Sequence, residues 1–194
     1  MQWTKTTRAH NGLLVSGQGQ IVQSLAAKGR ITGFLHGDSF DYTAGEAAQA
    51  YGKILDEYWR HVVYLRPDVF VLFDDVKAPQ PETYSWLLHA YHPFAVDEAR
   101  GHIGVAAPKA RLDVYLWASD ELGYSQTDEF AVPLDEPMDK PKQWHLTAVT
   151  GTPSPVAQFL AVLVPSRAGE VRELQAERIS VSGGDGVLIS DAAG

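Results

Sequence analysis

Arg60-His61-Val62-Val63-Tyr64-Leu65-Arg66-Pro67-Asp68-Val69-Phe70-Val71-Leu72-Phe73-Asp74-Asp75-Val76 decides the fold class. β-branched and aromatic residues fill both halves of the stretch, and a turn triplet, Arg66-Pro67-Asp68, separates them. Proline presets its own φ and aspartate bonds the backbone beyond it, so the two halves read as the strands of a hairpin. Such a hairpin sets Arg60 on one strand against Asp74 and Asp75 on the other, which favours a cross-strand salt bridge. The guanidinium of Arg60 also suits a sugar carboxylate, but the salt bridge is the simpler reading.

The same texture extends in both directions. Ala78-Pro79-Gln80-Pro81-Glu82 reads as a connection at a sheet edge, because its two prolines donate nothing to a ladder, and Thr83–Tyr91 then reads as the next strand. Further strands are expected at Asn11–Val22, Ile103–Ala106, Arg111–Ala118, Trp144–Thr150, Phe159–Val164 and Arg178–Val181, with a weaker one at Gly186–Ser190. Only Gly45–Asp56 is rich in helix formers, and Gly52 limits it to a short helix of about two turns. Asp120–Lys142, with its acids and three prolines, reads as a long surface excursion. The expected fold is therefore all-β: an antiparallel two-layer β-sandwich with at most a short helix, residues 1–194 forming a single domain.

Composition narrows the functional classes. Sixteen basic against 24 acidic residues give a net charge of -8, which repels nucleic acid in the absence of a basic patch. The same charge requires local cations or a metal wherever an acidic sugar is to bind. There is no cysteine, so disulfide and thiol chemistry are excluded. No run reaches the length of a membrane-spanning helix, and Met1–Thr7 lacks the apolar core of a secretion signal. Motifs for serine hydrolases, zincins and phosphate loops are missing as well.

Three blocks carry a family resemblance. They are Thr6-Thr7-Arg8-Ala9-His10-Asn11-Gly12-Leu13-Leu14-Val15 followed by Gln18-Gly19-Gln20, the hairpin at Arg60–Val76, and Trp86-Leu87-Leu88-His89. In order and spacing they resemble the β-sandwich part of the heparinase II/III-like polysaccharide lyases, roughly from Trp3 to Pro165. The resemblance implies cleavage of a uronic-acid-containing polysaccharide by β-elimination, with this segment forming one wall of the substrate cleft. It also implies that His10 is a zinc ligand whose partners, a His and an Asp, come from an earlier hairpin. Only nine residues precede His10, and none is His, Asp or Glu. Three protein ligands are the usual minimum, so zinc is expected in the complete enzyme and only weakly, if at all, in this chain. The family's principal Tyr and His come from an N-terminal helical toroid, so that domain is an expected partner and no catalytic residue is assigned within the segment. A periplasmic or secreted location is implied too.

Other candidates have bland readings of equal or greater weight. Asn11 and Gln20 follow the family pattern, yet Asn at a turn and Gln at a strand edge commonly just satisfy backbone groups. His36, Asp38 and Asp41 could be gathered around a metal, but a Gly37-Asp38-Ser39 turn with solvated carboxylates also explains them. Trp86 and His89, three apart on a strand, should face opposite sides, one core and one exposed. His89, Tyr91 and His92 crowd that strand's end, where half-buried aromatics are an ordinary edge cluster. His10 itself is expected beside a polar pocket at the sandwich edge, with Leu13 and Val15 in the core. Two alternatives stand beside the lyase reading: a non-catalytic carbohydrate-binding or interaction sandwich, and a small metal-dependent enzyme using His10, His36 and His89.

Overall fold

The structure is a computed structural model that describes residues 3–130, 142–170, 174–182 and 184–190. Among the described residues fourteen strands run in chain order: β1 Leu13–Val15, β2 Arg30–His36, β3 Phe40–Glu46, β4 Glu57–Leu65, β5 Val69–Glu82, β6 Tyr84–Ala90, β7 Ala95–Asp97, β8 His102–Ala106, β9 Ala110–Ala118, β10 Leu122–Thr127, β11 Trp144–Thr150, β12 Ser154–Arg167, β13 Gln175–Val181 and β14 Gly184–Ser190. They form a four-stranded sheet, β1-β6-β11-β10, an eight-stranded sheet, β2-β3-β4-β5-β12-β9-β8-β7, and the ribbon β13-β14. Every strand pairing is antiparallel. Among the described residues no helix is long and apolar enough to cross a membrane.

Alternation builds the sandwich. Tyr84, Trp86 and Leu88 of β6 and Leu146 and Ala148 of β11 point inward to meet Val76, Val114, Leu116, Phe159 and Ala161 of the large sheet. These side chains are nearly or wholly removed from water, and at about 25 cal/mol per Å² of apolar surface their burial is the main driving term. The offset residues Val162 and Val164 of β12 point the other way. There, with Tyr115 and Trp117 of β9, they pack under Leu174, Ala176, Val187 and Ile189 around the β13-β14 ribbon. The two-layer expectation is met, and the ribbon adds a small third layer over part of the large sheet's far face.

Four boundaries correct the sequence reading. Asn11–Val22 contains only the short strand β1, because Ser16 and Gly17, at φ 43° and 76°, turn the chain immediately afterwards. Ala78–Glu82 is not a connection: β5 runs on to Glu82, with its prolines where β12 slips register between Ser154 and Val156. A ladder that is already irregular tolerates a residue without N–H. Gly45 and Glu46 end β3, and the expected helix is a four-residue 3₁₀ turn, Ala48–Tyr51. Asp120–Lys142 is no simple excursion either, since β10 lies within it and pairs fully with β11; residues 131–141 fall outside the described residues.

The hairpin at Arg60–Val76 forms as expected. Leu65 pairs with Val69 around Arg66–Asp68, and Arg60 stands opposite Asp74. One edge of the large sheet is less ordinary: six of the seven residues of β2 are exposed, with Ile31 at 73% and Phe34 at 71% of full accessibility.

Candidate functional site

The N-terminal segment lies across the outer face of the small sheet. Two 3₁₀ turns, Trp3–Lys5 and Thr7–Ala9, carry it there, and the Leu87 N–H donates to Gly12 O at 3.0 Å as it joins β1. Beneath it two histidines face each other across the β6-β11 pair, His89 opposite His145, with ring centroids 5.0 Å apart. Trp3 stacks on His145 at 4.8 Å. His145 is buried, and among the described residues its Nε2 has no hydrogen-bond partner. Burial lowers its pKa, so the ring stays neutral in its aromatic surroundings.

His89 is the structural hub of this face. Its Nε2 donates to Arg8 O at 2.9 Å, and its backbone N–H donates to Asn11 Oδ1 at 2.9 Å. Its Nδ1 lies 3.1 Å from the same Asn11 oxygen, which favours a second proton there, while burial opposes it. Burial prevails and brings the His89 pKa down to about 4. Trp86, by contrast, is buried in the core, so the two point to opposite faces as expected, but His89 is half-buried under the N-terminal segment and not exposed. Asn11 spends its side chain on His89, which is the backbone-satisfying role.

Around the open edge at β1 runs a cleft of about 500 Å³, lined by Lys5, His10, Gln20, Tyr51, Tyr58 and Arg60 among others. His10 is exposed there, and Leu13 and Val15 are in the core. Its Nε2 lies 3.0 Å from the carbonyl of Thr4 and donates to it, so Nδ1 is the ring nitrogen that makes no hydrogen bond among the described residues. Gln20 is exposed beside the Tyr51 phenol, while its backbone N–H donates to Thr7 Oγ1.

The floor of the cleft is an ion pair. Arg60 donates to Asp74 through Nε at 2.6 Å and Nη2 at 2.7 Å, and through Nη1 to Asn11 O at 3.2 Å. The Asp74 side chain is 1% exposed. Burial works against the Arg60 cation, but the bidentate carboxylate outweighs it and raises its pKa. Tyr51, whose hydroxyl donates to Leu13 O at 2.7 Å, has its pKa raised to about 12 by burial. Tyr58 is raised well above the ordinary phenol range, by burial first and by Asp74 second. Both tyrosines are therefore neutral phenols at physiological pH. The cleft can offer hydrogen-bond donors and a cationic Lys5, but no tyrosinate base.

The remaining candidates lie elsewhere. His36 and Asp41 bond each other at 2.6 Å at the turn end of the β2-β3 hairpin, and Arg66 bonds the same carboxylate at 2.8 Å. The His36 and Arg66 hydrogen bonds hold the Asp41 carboxyl below its ordinary pKa. Asp38 stays in the exposed turn. Tyr91 and His92 follow β6 at its exposed end. Among the described residues no three His, Cys, Asp or Glu side chains are gathered to hold a metal ion, so neither the His36 trio nor His10 with His36 and His89 forms a centre. A complete zinc cage does not fit the described residues, and His10 offers one ligand at most. The buried His145 and its stack on Trp3 escaped the sequence reading, since a pairing of β6 with β11 is set by long-range register.

The profile described as heparinase II/III-like, C-terminal matches residues 1–183. The chain belongs to the heparinase II/III-like C-terminal family. Among solved structures, heparan sulfate lyase HepC from Pedobacter heparinus resembles this family member with a TM-score of 0.71 at 12% identity, over 97% of this chain and 31% of that one. A heparinase III structure gives 0.68 at 17% identity, over 97% of this chain and 30% of that one. At such identities the likeness shows the fold alone. The heparinase II/III-like sandwich described here thus spans about 31% of HepC. No curated protein sequence matches the chain.

Proposed function

We propose that this heparinase II/III-like sandwich works as part of a polysaccharide lyase that cleaves a uronic-acid-containing chain by β-elimination. The family match over residues 1–183 carries the reading, and the donor-rich cleft beside His10 supports it. In β-elimination the proton next to the sugar carboxylate is removed and the glycosidic oxygen leaves at the neighbouring carbon, so the carboxylate's developing charge must be stabilised. In this reading the cleft is one wall of the substrate channel. Lys5 and Gln20 meet the sugar, while Arg60, already committed to Asp74, keeps the Asn11 carbonyl and hence His10 in position. His10 supplies one zinc ligand through Nδ1, the other ligands, a His and an Asp, coming from an earlier hairpin of the sandwich, and the principal acid and base from a helical partner domain. A bound zinc ion there would contribute positive charge that Lys5 alone cannot provide. An acidic polysaccharide substrate implies action in the periplasm or outside the cell.

The test combines turnover with binding. The chain alone, incubated with heparan sulfate, heparin, hyaluronan or alginate, is expected to give no rise in absorbance near 232 nm, because positioned acid and base groups each contribute about 10²- to 10⁴-fold. In ¹⁵N NMR titrations, acidic oligosaccharides of the same chains are expected to shift amides near Lys5, His10 and Gln20. Binding elsewhere, or none, removes the cleft-wall role. A metal-dependent turnover abolished by His10→Ala would instead favour a self-contained metal enzyme.

A further inference from the structure

The opposite open edge of the sandwich carries a second cleft, of about 470 Å³, that the lyase reading does not use. It lies where the Glu98–Arg100 turn, the end of β9, the start of β10 and β13 meet. The turn is pinned tightly: Leu116 N–H donates to Gly101 O at 2.8 Å, and Gly101 sits at φ 61° with Leu116 O only 2.4 Å from where a Cβ would be. This wall is built close to the β9 backbone and cannot slide without breaking that contact.

Its lining combines two aromatic side chains with alternating charges. Trp117 and Tyr124 are both half-buried and border the cleft. Among the described residues the Tyr124 hydroxyl bonds nothing, and burial, with Glu98 beside it, keeps the phenol protonated and able to donate. Glu98 and Glu121 are exposed and make no side-chain hydrogen bond among the described residues. Arg178 is anchored through Nη1 to Ala118 O at 2.8 Å, which holds its guanidinium at the cleft wall.

We propose that this β9-β10 cleft is a second saccharide-binding site, which takes uncharged, hydroxyl-rich sugar residues. Aromatic rings pack on the C–H faces of pyranoses, while carboxylates accept from pairs of sugar hydroxyls and guanidinium donates to them. Among the described residues the lining has three carboxylates, Glu98, Asp120 and Glu121, against two guanidinium groups, Arg100 and Arg178, so the charge they sum to disfavours a uronate or sulfate. The cleft at β1 has the opposite character, with Lys5 in no ion pair among the described residues and Arg60 paired. The sandwich thus offers two edges of different charge preference, and a mixed acidic and neutral glycan could be engaged at both.

The test is a ¹⁵N NMR titration of the full chain with uncharged hexasaccharides of glucose and of N-acetylglucosamine, and in parallel with an acidic hexasaccharide. At least one neutral sugar should shift amides of Glu98–Gly101 and Trp117–Tyr124, with the acidic one leaving them unmoved. Trp117→Ala and Tyr124→Ala should each weaken that binding by about tenfold or more. Glu121→Gln, on an exposed side chain with no fold-holding bond, should weaken it severalfold and serves if the aromatic variants fail to fold. His10→Ala should change nothing there. No shift at this edge with any neutral sugar, equal or stronger binding of the acidic sugar, or binding indifferent to Tyr124 and Glu121 overturns the proposal.

Discussion

At Arg60 the geometry leaves one carboxylate with no route to water. Asp74 is almost wholly enclosed and takes both bonds of the guanidinium fork. Arg60→Ala strands that charge, and the expected loss is about 3–5 kcal/mol, read from urea unfolding. Replacing both partners by apolar residues of similar size, Arg60→Met with Asp74→Leu, should recover most of that loss, because the cost lies in the unpaired charge and not in the missing bridge. The same double variant loses the bond to Asn11 O, so amide shifts at Asn11 and His10 should persist even when stability returns.

His89 supplies a pH-dependent measurement at the same scale. Its folded pKa, held down to about 4, lies below the unfolded value of about 6.5, so the unfolded chain takes up the proton first. Between those values stability should fall as pH falls, and above about 6.5 this group should have no effect. NMR titration of the imidazole C–H signals is expected to give a midpoint near 4. A midpoint at or above 6.5 would show that the Asn11 and Arg8 oxygens, not burial, govern the ring.

Among the elements, the turn at Glu98–Gly101 gives the sharpest prediction. Gly101→Ala places a methyl against the Leu116 carbonyl at a positive φ, and the expected cost is about 1–3 kcal/mol in denaturant melts. Glycine at Gly123, where the nearest side-chain atom is 3.8 Å away and φ is ordinary, should accept alanine with little change.

Legibility differed from one element to the next for physical reasons. β4 and β5 were readable because their pairing is local: a turn signal and two apolar runs set the register that brings Arg60 to Asp74. β2 and β3 were missed because β2 is exposed on both faces, so it has no alternation of burial to imprint on Ile31-Thr32-Gly33-Phe34. β10 was hidden among acids and prolines, although the alternation of Leu122 and Tyr124 was present, and both pack toward the core. Of the cleft's lining, the resemblance pointed to His10 and the hairpin pairing to the Arg60 bridge. The cover formed by Trp3 was not legible, since 3₁₀ turns of three residues carry no periodicity. Nor was the meeting of His89 with His145, which β11 reaches only after a long stretch of chain.

At the scale of the whole molecule, the third layer has its own test. Val162 and Val164 are buried partly by their sheet neighbours Val71 and Tyr115 and partly by the residues of the β13-β14 ribbon. Val187→Asp, aimed into that interface, should free the ribbon and raise the binding of a hydrophobic dye while the inter-sheet core, and with it the β-type circular dichroism, survives.

The bare β2 edge has a practical consequence for the molecule in concentrated solution. A seven-residue strand with an open row of peptide groups and with Ile31, Phe34 and Leu35 exposed is a template on which a further strand can crystallise. The surplus of negative charge holds neighbouring molecules apart, and dissolved salt shortens its reach to about 8 Å at 0.15 M. Colloidal lifetime should therefore shrink as ionic strength rises, and Phe34→Lys should lengthen it by placing a gatekeeper on the seam.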